Sequence, residues 1–274
     1  MRLIPIASGS SGNCIYVGSE CTHLLIDVGI SGKKTEAGVN SIGLSMSEID
    51  GILITHEHSD HIAGLGVISR KHDIPIYTTR GTKEALLNKI GNIDPELICE
   101  IYPDDKLTIK DISVIPMKVS HDAADPVAFT FSSEGKKIGI ATDLGIYTDY
   151  TVEHLKGMDA LFLEANHDVK MLEVGPYPYY LKRRILGNKG HLSNELAGDL
   201  LSKLLHDGLK SVYLGHLSKE NNLPELAYET VRCQVNMSVD LNKNLGKCNM
   251  SDITMDDIPL YIAKRDEISE IINI

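Results

Sequence analysis

The chain has 274 residues, enough for one large domain or two small ones and for a sizeable core. With 42% apolar and 24% charged residues it is composed like a soluble globular protein, and the absence of tryptophan with only 5% aromatics leaves the core to Ile, Leu and Val. Twenty-seven basic against 38 acidic residues give a formal net charge of −11, which excludes general electrostatic capture of nucleic acid; a polyanion would need a local positive site, such as bound metal ions supply.

The N-terminus, MRLIPIASGSSGNC, is interrupted by small polar residues before it can form a signal-peptide core. No stretch approaches the roughly 18 apolar residues of a membrane span, so no membrane association is expected. Five cysteines (Cys14, Cys21, Cys99, Cys233, Cys248) are odd in number and form no CxxC pair. They read as reduced thiols, and a cytoplasmic location is expected.

No repeat or low-complexity tract divides the chain, and a single domain over 1–274 is expected. The first expected strands are 2–7, 14–17, 23–27 and 51–55, each rich in Ile, Val or Leu and bounded by turn residues. A helical pattern over 60–71 precedes a strand at 74–78 and a second helix at 81–90. Strands at 111–119, 126–132 and 136–142 come next, then a helix over 148–156 and a strand at 159–164. The clearest helix begins after His191: Ser193 or Asn194 can cap it, and Leu196, Leu200, Leu201, Leu204 and Leu205 form one apolar stripe before Gly208. A strand at 211–215 ends at His216, and Pro224 opens a helix expected to run to about Gln234. The polar stretch 238–259 reads as an irregular extension, with a last strand at 260–263. Strands and helices out of strict βαβ order suggest an α+β arrangement of sheets covered by helices.

The strand at 51–55 runs straight into His56-Glu57-His58-Ser59-Asp60-His61. Imidazole and carboxylate are good ligands for zinc and similar ions. At i and i+2 on an extended stretch, His56 and His58 point the same way. Asp60 and His61 fall at the turn into the next helix and can face a second point nearby, so the geometry suggests two metal sites. A solvated His/Asp-rich turn is the plain alternative. It is weakened by His121, Asp143 and His216, each of which stands at the end of another expected strand, where α/β proteins gather site residues.

THEHSDH resembles motif 2 of the metallo-β-lactamase fold, and His121, Asp143 and His216 match motifs 3, 4 and 5 in order. Asp27, in LLIDVG, matches the acidic residue of motif 1. The resemblance spans roughly residues 1–235. It implies a four-layer αββα sandwich. It also implies that His56, His58 and His121 hold one divalent ion, that Asp60, His61 and His216 hold another, and that Asp143 bridges them. Zinc is expected first and manganese as the alternative, with a bridging hydroxide as nucleophile. Asp at motif 4 with His at motif 5 is the phosphodiesterase pattern; zinc β-lactamases have Cys at motif 4. SGSSGNC at 8–14, SHDAADP at 120–126, ATDLG at 141–145, EANHD at 164–168, GHLSN at 190–194 and GHLSKENN at 215–222 look like the YycJ (WalJ) branch. That branch is described as cytoplasmic metallo-hydrolases with 5′ to 3′ exonuclease activity on double-stranded DNA.

Other residues join this expectation. His191 opens a helix, where anions are favoured, and can protonate a leaving oxygen; GHLSN is similar to the GHST stretch of RNase Z. With Asp60 it is expected to take part in the chemistry. Tyr177, Tyr179 and Tyr180 lie beside Lys182, Arg183 and Arg184, a pattern that can stack on bases and grip phosphates, or equally form a solvated helix face. The glycines of Ser8-Gly-Ser-Ser-Gly-Asn let a ligand approach the backbone, and a plain turn explains them equally well; the family resemblance makes Ser8, Ser10, Ser11 and Asn13, with Ser193, candidate substrate contacts. Asn166, His167 and Asp168 could support the metal ligands, or equally serve the local turn.

The leading reading is thus a two-metal phosphodiesterase on DNA. A thioester or lactone hydrolase of the glyoxalase II type shares HxHxDH, and a non-enzymatic metal-binding protein is the third reading. No exosite arm of the tRNA-processing RNase Z type is visible, and the short stretch between Asp143 and His216 leaves no room for a β-CASP domain.

Overall fold

Strands buried on both faces need apolar side chains throughout rather than alternation, and this is the pattern of β1 (Arg2–Ala7), β2 (Cys14–Gly18) and β3 (His23–Ile26), nearly every residue of which is buried. A computed structural model describes residues 1–244 and 255–274, with the side chains of 242–244 left aside. The chain forms two units, Met1–Lys118 with Asp122–Lys136 and Ala263–Ile274, and Val119–His121 with Lys137–Ile262.

In the first unit β3 is followed by α1 (Gly32–Ser41), β4 (Gly51–Leu53), α2 (Ser59–Ile62), α3 (Leu65–His72), β5 (Ile76–Thr78), α4 (Arg80–Leu87) and β6 (Ile98–Glu100). Strands β1 to β3 pair antiparallel and β3 to β6 parallel. A short strand at Ile272–Asn273 lies beside β1. Three further strands, β7 (Leu107–Ile109), β8 (Ile112–Lys118) and β9 (Val127–Ser133), pair antiparallel. With this pairing β1, β3 and β4 run in one direction, so Ser8, Asp27 and the Thr55–His61 stretch all leave the sheet at one edge. Beneath it Ile4, Ile6, Leu25, Ile52, Ile54, Leu65 and Ile68 form the core.

Two departures from expectation have local causes. The helix expected over 60–71 is broken into α2 and α3 at Gly64, whose N–H donates to Val28 O at 2.9 Å. A Cβ there would stand 2.1 Å from Ile30 O, so only glycine fits. Helix α1 has no counterpart among the expected elements, because two glycines weaken its pattern. Gly38 is there for packing: a Cβ would stand 2.3 Å from the Ile6 side chain of β1.

In the second unit the strands β10 (Lys136–Ala141), β11 (Ala160–Glu164), β12 (Ser211–Gly215) and β13 (Leu260–Ile262) are parallel throughout. Asp143, Glu164 and His216 therefore stand at the same, carboxyl-terminal edge. The helices are α5 (Asp149–Leu155), α6 (Val169–Val174), α7 (Tyr179–Ile185), α8 (Asn194–Leu204) and α9 (Pro224–Asn244). Ser193 caps α8 by accepting from Leu196 N, and Ala197, Leu200, Leu201 and Leu204 bury its stripe; Leu196 is partly exposed instead.

Helix α9 does not stop near Gln234. Val231, Val235 and Val239 are buried at four-residue spacing and carry the apolar stripe onward through polar neighbours. The first part of the stretch expected to be irregular, 238–244, is therefore helical, and Met255 and Ile258 are buried beyond it. Residues 245–254, including Cys248, lie outside the described residues. Among the described residues no helix is long and apolar enough to cross a membrane.

Candidate metal and catalytic site

The β4 ladder ends at Leu53, and beyond Ile54 side chains add to the backbone bonds that hold the chain. Thr55 N–H donates to Asp27 Oδ1 at 2.9 Å and Thr55 Oγ1 donates to Asp27 Oδ2 at 2.8 Å. Asp27 Oδ2 also accepts His61 Nδ1–H at 2.7 Å. His56 Nδ1 lies 3.0 Å from Thr55 Oγ1. With Nδ1 of both rings engaged, Nε2 is left as the coordinating nitrogen, the arrangement in which an outer carboxylate fixes tautomer and ring orientation. The His56 ring centroid is 4.6 Å from that of His58 and 4.1 Å from that of His61. Asp60 Oδ2 is 3.4 Å from His61 Nε2. Thus the first unit brings His56, His58, Asp60 and His61 together, with Asp27 beneath them. Burial pushes the Asp27 carboxyl up, against the pull of His61 and Thr55.

The second unit gathers His121, Asp143, His191 and His216. His121 Nδ1–H donates to Gly190 O at 2.9 Å, and its Nε2 stands 3.7 Å from Asp143 Oδ1. Glu164 is fully buried and lies under two imidazoles: one oxygen, Oε1, accepts from His191 Nδ1 at 2.7 Å and from His216 Nδ1 at 2.8 Å. Its other oxygen accepts Leu144 N–H at 2.8 Å and Leu192 N–H at 3.2 Å. Burial alone would raise this carboxyl, but the two imidazoles hold it well below the usual carboxylate range. Ligand atoms of Asp143, Glu164, His191 and His216 all lie within 4.8 Å of one another. Asp27, Asp143 and His216 adopt left-handed backbone at φ 60°, 58° and 56°. Such conformations are disfavoured for residues with a Cβ and persist where surrounding bonds impose them, typically at functional sites.

The donor set fits a divalent metal. Each unit offers imidazoles whose Nδ1 is tied to oxygen, beside carboxylates held at bonding distance, and N/O donors suit zinc-like ions. A family model described as a beta-lactamase superfamily domain matches residues 22–216. The chain belongs to the metallo-β-lactamase superfamily. It is 44% identical to exodeoxyribonuclease YycJ of Bacillus anthracis over 226 residues, 82% of this chain and 86% of that protein. It is 40% identical to exodeoxyribonuclease WalJ of Streptococcus pneumoniae strain D39 over 228 residues, 82% of this chain and 85% of the relative. The metallo-β-lactamase fold protein YhfI from Bacillus subtilis has a similar structure, with a TM-score of 0.67, 16% identity and 98% of each chain covered. The expected fold class is borne out: this is the metallo-β-lactamase fold, two mixed sheets flanked by helices. Clustered imidazoles and carboxylates on this superfamily's fold point to divalent-metal binding.

The other expected site residues fall into three groups. Asn13 is buried against the cluster of the first unit, with Nδ2 3.3 Å from His61 Nε2 and Oδ1 accepting Gly9 N–H at 3.0 Å. Ser8 is buried beside it. Ser10 and Ser11 are exposed, and Arg265 donates to Ser11 Oγ at 3.4 Å. Ser193 is occupied as the cap of α8. In α7 Tyr179 and Tyr180 are each 75% exposed, Arg183 and Arg184 are exposed, and Lys182 Nζ donates to Glu173 O at 2.7 Å. Tyr177 lies just before α7 and is partly exposed.

Glu164 opens the EANHD motif, but the motif assigns it no role. Its signal was there: a lone carboxylate closing the otherwise apolar run ALFLE, all of it buried. Asn166 Nδ2 donates to His216 O at 2.9 Å. Asp168 is used locally, accepting Met171 N–H as the cap of α6. His167 is buried, and neither ring nitrogen makes a hydrogen bond among the described residues. Burial pushes its pKa down to about 4, so the ring is neutral at pH 7.

Proposed function

We propose that the protein is a two-metal phosphodiesterase of the cytoplasm that degrades DNA from a 5′ end, its two units acting as one catalytic domain. The observation that carries this is the 44% identity to YycJ, named an exodeoxyribonuclease, across most of both chains. The ligand assignment follows the family pattern. By that pattern His56, His58 and His121 would hold one ion, Asp60, His61 and His216 would hold the other, and Asp143 would serve both. Zinc suits the imidazole-rich set best, and manganese is the alternative. Bound there, such ions would polarise the phosphoryl group and lower the pKa of a water.

The chain's own residues then orient and move protons. Asp60 sits beside His61 and can accept from the attacking water as well as hold metal. His191 Nδ1 is anchored on Glu164, which leaves Nε2 to face the substrate. That nitrogen donates the proton to the departing oxygen, and Glu164 stabilises the imidazolium before it does so. Tyr180, Lys182, Arg183 and Arg184 of α7 are the candidates for stacking on bases and holding phosphates. Ser8, Ser10, Ser11, Asn13 and Ser193 are candidate neutral contacts to the strand end.

Metal analysis together with degradation of 5′-labelled duplex DNA tests this. Wild type is expected to hold about two ions per chain and to release nucleotides from the 5′ end. His191→Ala is expected to keep its metals and lose roughly 10²–10⁴-fold in kcat. A wild-type protein that binds zinc and manganese yet leaves DNA intact would overturn the nuclease reading. Metal loss in His191→Ala would make that residue a ligand instead.

A further inference from the structure

Three segments that are far apart in the chain, EANHD (164–168), GHLSN (190–194) and GHLSKENN (215–222), are stitched together by asparagine side chains. Asn194 and Asn222 face each other as a reciprocal amide pair: Asn194 Nδ2 donates to Asn222 Oδ1 at 3.0 Å, and Asn222 Nδ2 donates to Asn194 Oδ1 at 2.9 Å. Asn222 Nδ2 also reaches Ala165 O at 2.9 Å and Asn166 O at 3.1 Å, while its Oδ1 accepts Leu223 N–H at 3.0 Å. These partners fix which end of the amide is which, since carbonyls face the nitrogen and an N–H faces the oxygen. Both residues are buried. Asn166 completes the join: its N–H donates to Leu192 O at 2.9 Å, its carbonyl accepts Ser218 N–H at 2.7 Å, and its Nδ2 holds His216 O.

Each joined segment carries one member of the group around Glu164 described above. EANHD begins with Glu164, GHLSN contains His191 just before Asn194, and GHLSKENN contains His216 in its left-handed backbone. Two imidazoles from separate loops share one carboxylate oxygen at 2.7 and 2.8 Å. A shift of either loop by a fraction of an ångström would lengthen one of those bonds. We infer that the Asn194–Asn222 amide pair, with Asn166, is a positioning clamp that sets the spacing of His191 and His216 across Glu164. A fully satisfied buried network specifies one arrangement, because leaving any of its polar groups unpaired is costly. The effect on turnover rests on the proposed role of His191; the effect on metal affinity does not.

The clamp is tested with Asn222→Ala and with Asn194→Asp, which keeps an acceptor for Asn222 Nδ2 but sets a buried carboxylate oxygen against Asn222 Oδ1 in place of the return donor. Outer partners of metal ligands are typically worth roughly 10–100-fold in affinity or activity. Zinc affinity, measured by chelator competition, is expected to fall within that range in Asn222→Ala and to fall in Asn194→Asp as well. At saturating zinc, kcat on 5′-labelled duplex DNA, whose alkoxide leaving group needs the proton, should fall about tenfold or more in Asn222→Ala with KM little changed. In a His191→Ala background the same substitution should cause no further loss. Wild-type zinc affinity in both variants, or a kcat loss that adds fully to that of His191→Ala, overturns the clamp. Should Asn222→Ala fail to fold, Asn194→Asp decides: weaker zinc binding supports the clamp and unchanged binding overturns it. Should wild type hydrolyse no phosphodiester at all, the nuclease reading fails, and the zinc titrations still decide the clamp by the same outcomes.

Discussion

In the first unit a buried carboxylate, Asp27, lies under one imidazole; in the second, Glu164 lies under two. Asp27 accepts from Thr55 twice and from His61, and burial still wins, pushing its carboxyl up. Glu164 accepts from two backbone N–H groups and two imidazoles, and attraction wins, pulling its carboxyl well down. The desolvation cost is similar for two fully buried carboxylates, so the number of partners able to carry positive charge decides the sign. In the first arrangement burial outweighs the single imidazole and raises the Asp27 carboxyl. The second favours a fixed anion that holds two rings in one tautomer.

The sharpest way to break this contrast is to neutralise each carboxylate in turn in metal-free protein. Glu164→Gln sets an amide NH2 against ring N–H groups, and is expected to cost about 3–5 kcal/mol at neutral pH, as removal of one partner of a buried charged group does. The folded pKa of Glu164 is depressed, so its contribution is present above the ordinary carboxylate value and lost only as pH falls through the lower, folded value. The cost of Glu164→Gln should therefore shrink in acid. For Asp27 the folded pKa is raised, so its contribution is fullest in acid and is lost as pH rises through the folded value. Asp27→Asn should then cost less than Glu164→Gln at neutral pH. Urea unfolding of the metal-free proteins across pH measures both, and equal costs at pH 7 would remove the distinction.

A smaller effect separates the units further, because the second also buries His167. Its pKa is about 4 in the folded protein against an ordinary 6.5. A depressed histidine leaves the unfolded chain with more bound protons between those values, so stability falls as pH drops from 6.5 toward 4. The total is on the order of 3 kcal/mol, at about 1.4 kcal/mol per pKa unit. His167→Leu should flatten the metal-free stability profile in that window alone. A wild-type slope that persists in the variant would assign it to other groups.

The smallest expected effect concerns where a phosphate backbone is held. The loop Ser8–Asn13 of the first unit offers neutral side chains, whereas α7 of the second offers three cations. Replacing Lys182, Arg183 and Arg184 by Ala should weaken duplex DNA binding and reduce the slope of log K against log salt by at most about 0.9 per lost contact. Hydrolysis of bis(p-nitrophenyl) phosphate and metal content should not change. An unaltered salt slope would make α7 a solvated helix face and shift the search for contacts to the first unit.

Sequence by itself determined what is contiguous. His56 to His61 stand within one turn of chain, so their ligand character is readable from spacing, and the apolar runs before His121, Asp143 and His216 mark strand ends before any coordinates. The α8 stripe and its Ser193 cap are legible for the same reason: neighbours along a helix are neighbours in sequence. Chain pattern failed where a distant contact overrode it. Gly64 breaks a helix because Ile30 O is in the way, Gly38 allows α1 against Ile6, and buried valines extend α9 through polar residues. Only the tertiary structure decided that Glu164 serves both His191 and His216 and that Asn194 pairs with Asn222. Parallel strands bring their carboxyl ends to one edge however long the crossovers between them, so hydrogen bonds made there leave no fixed spacing in the chain.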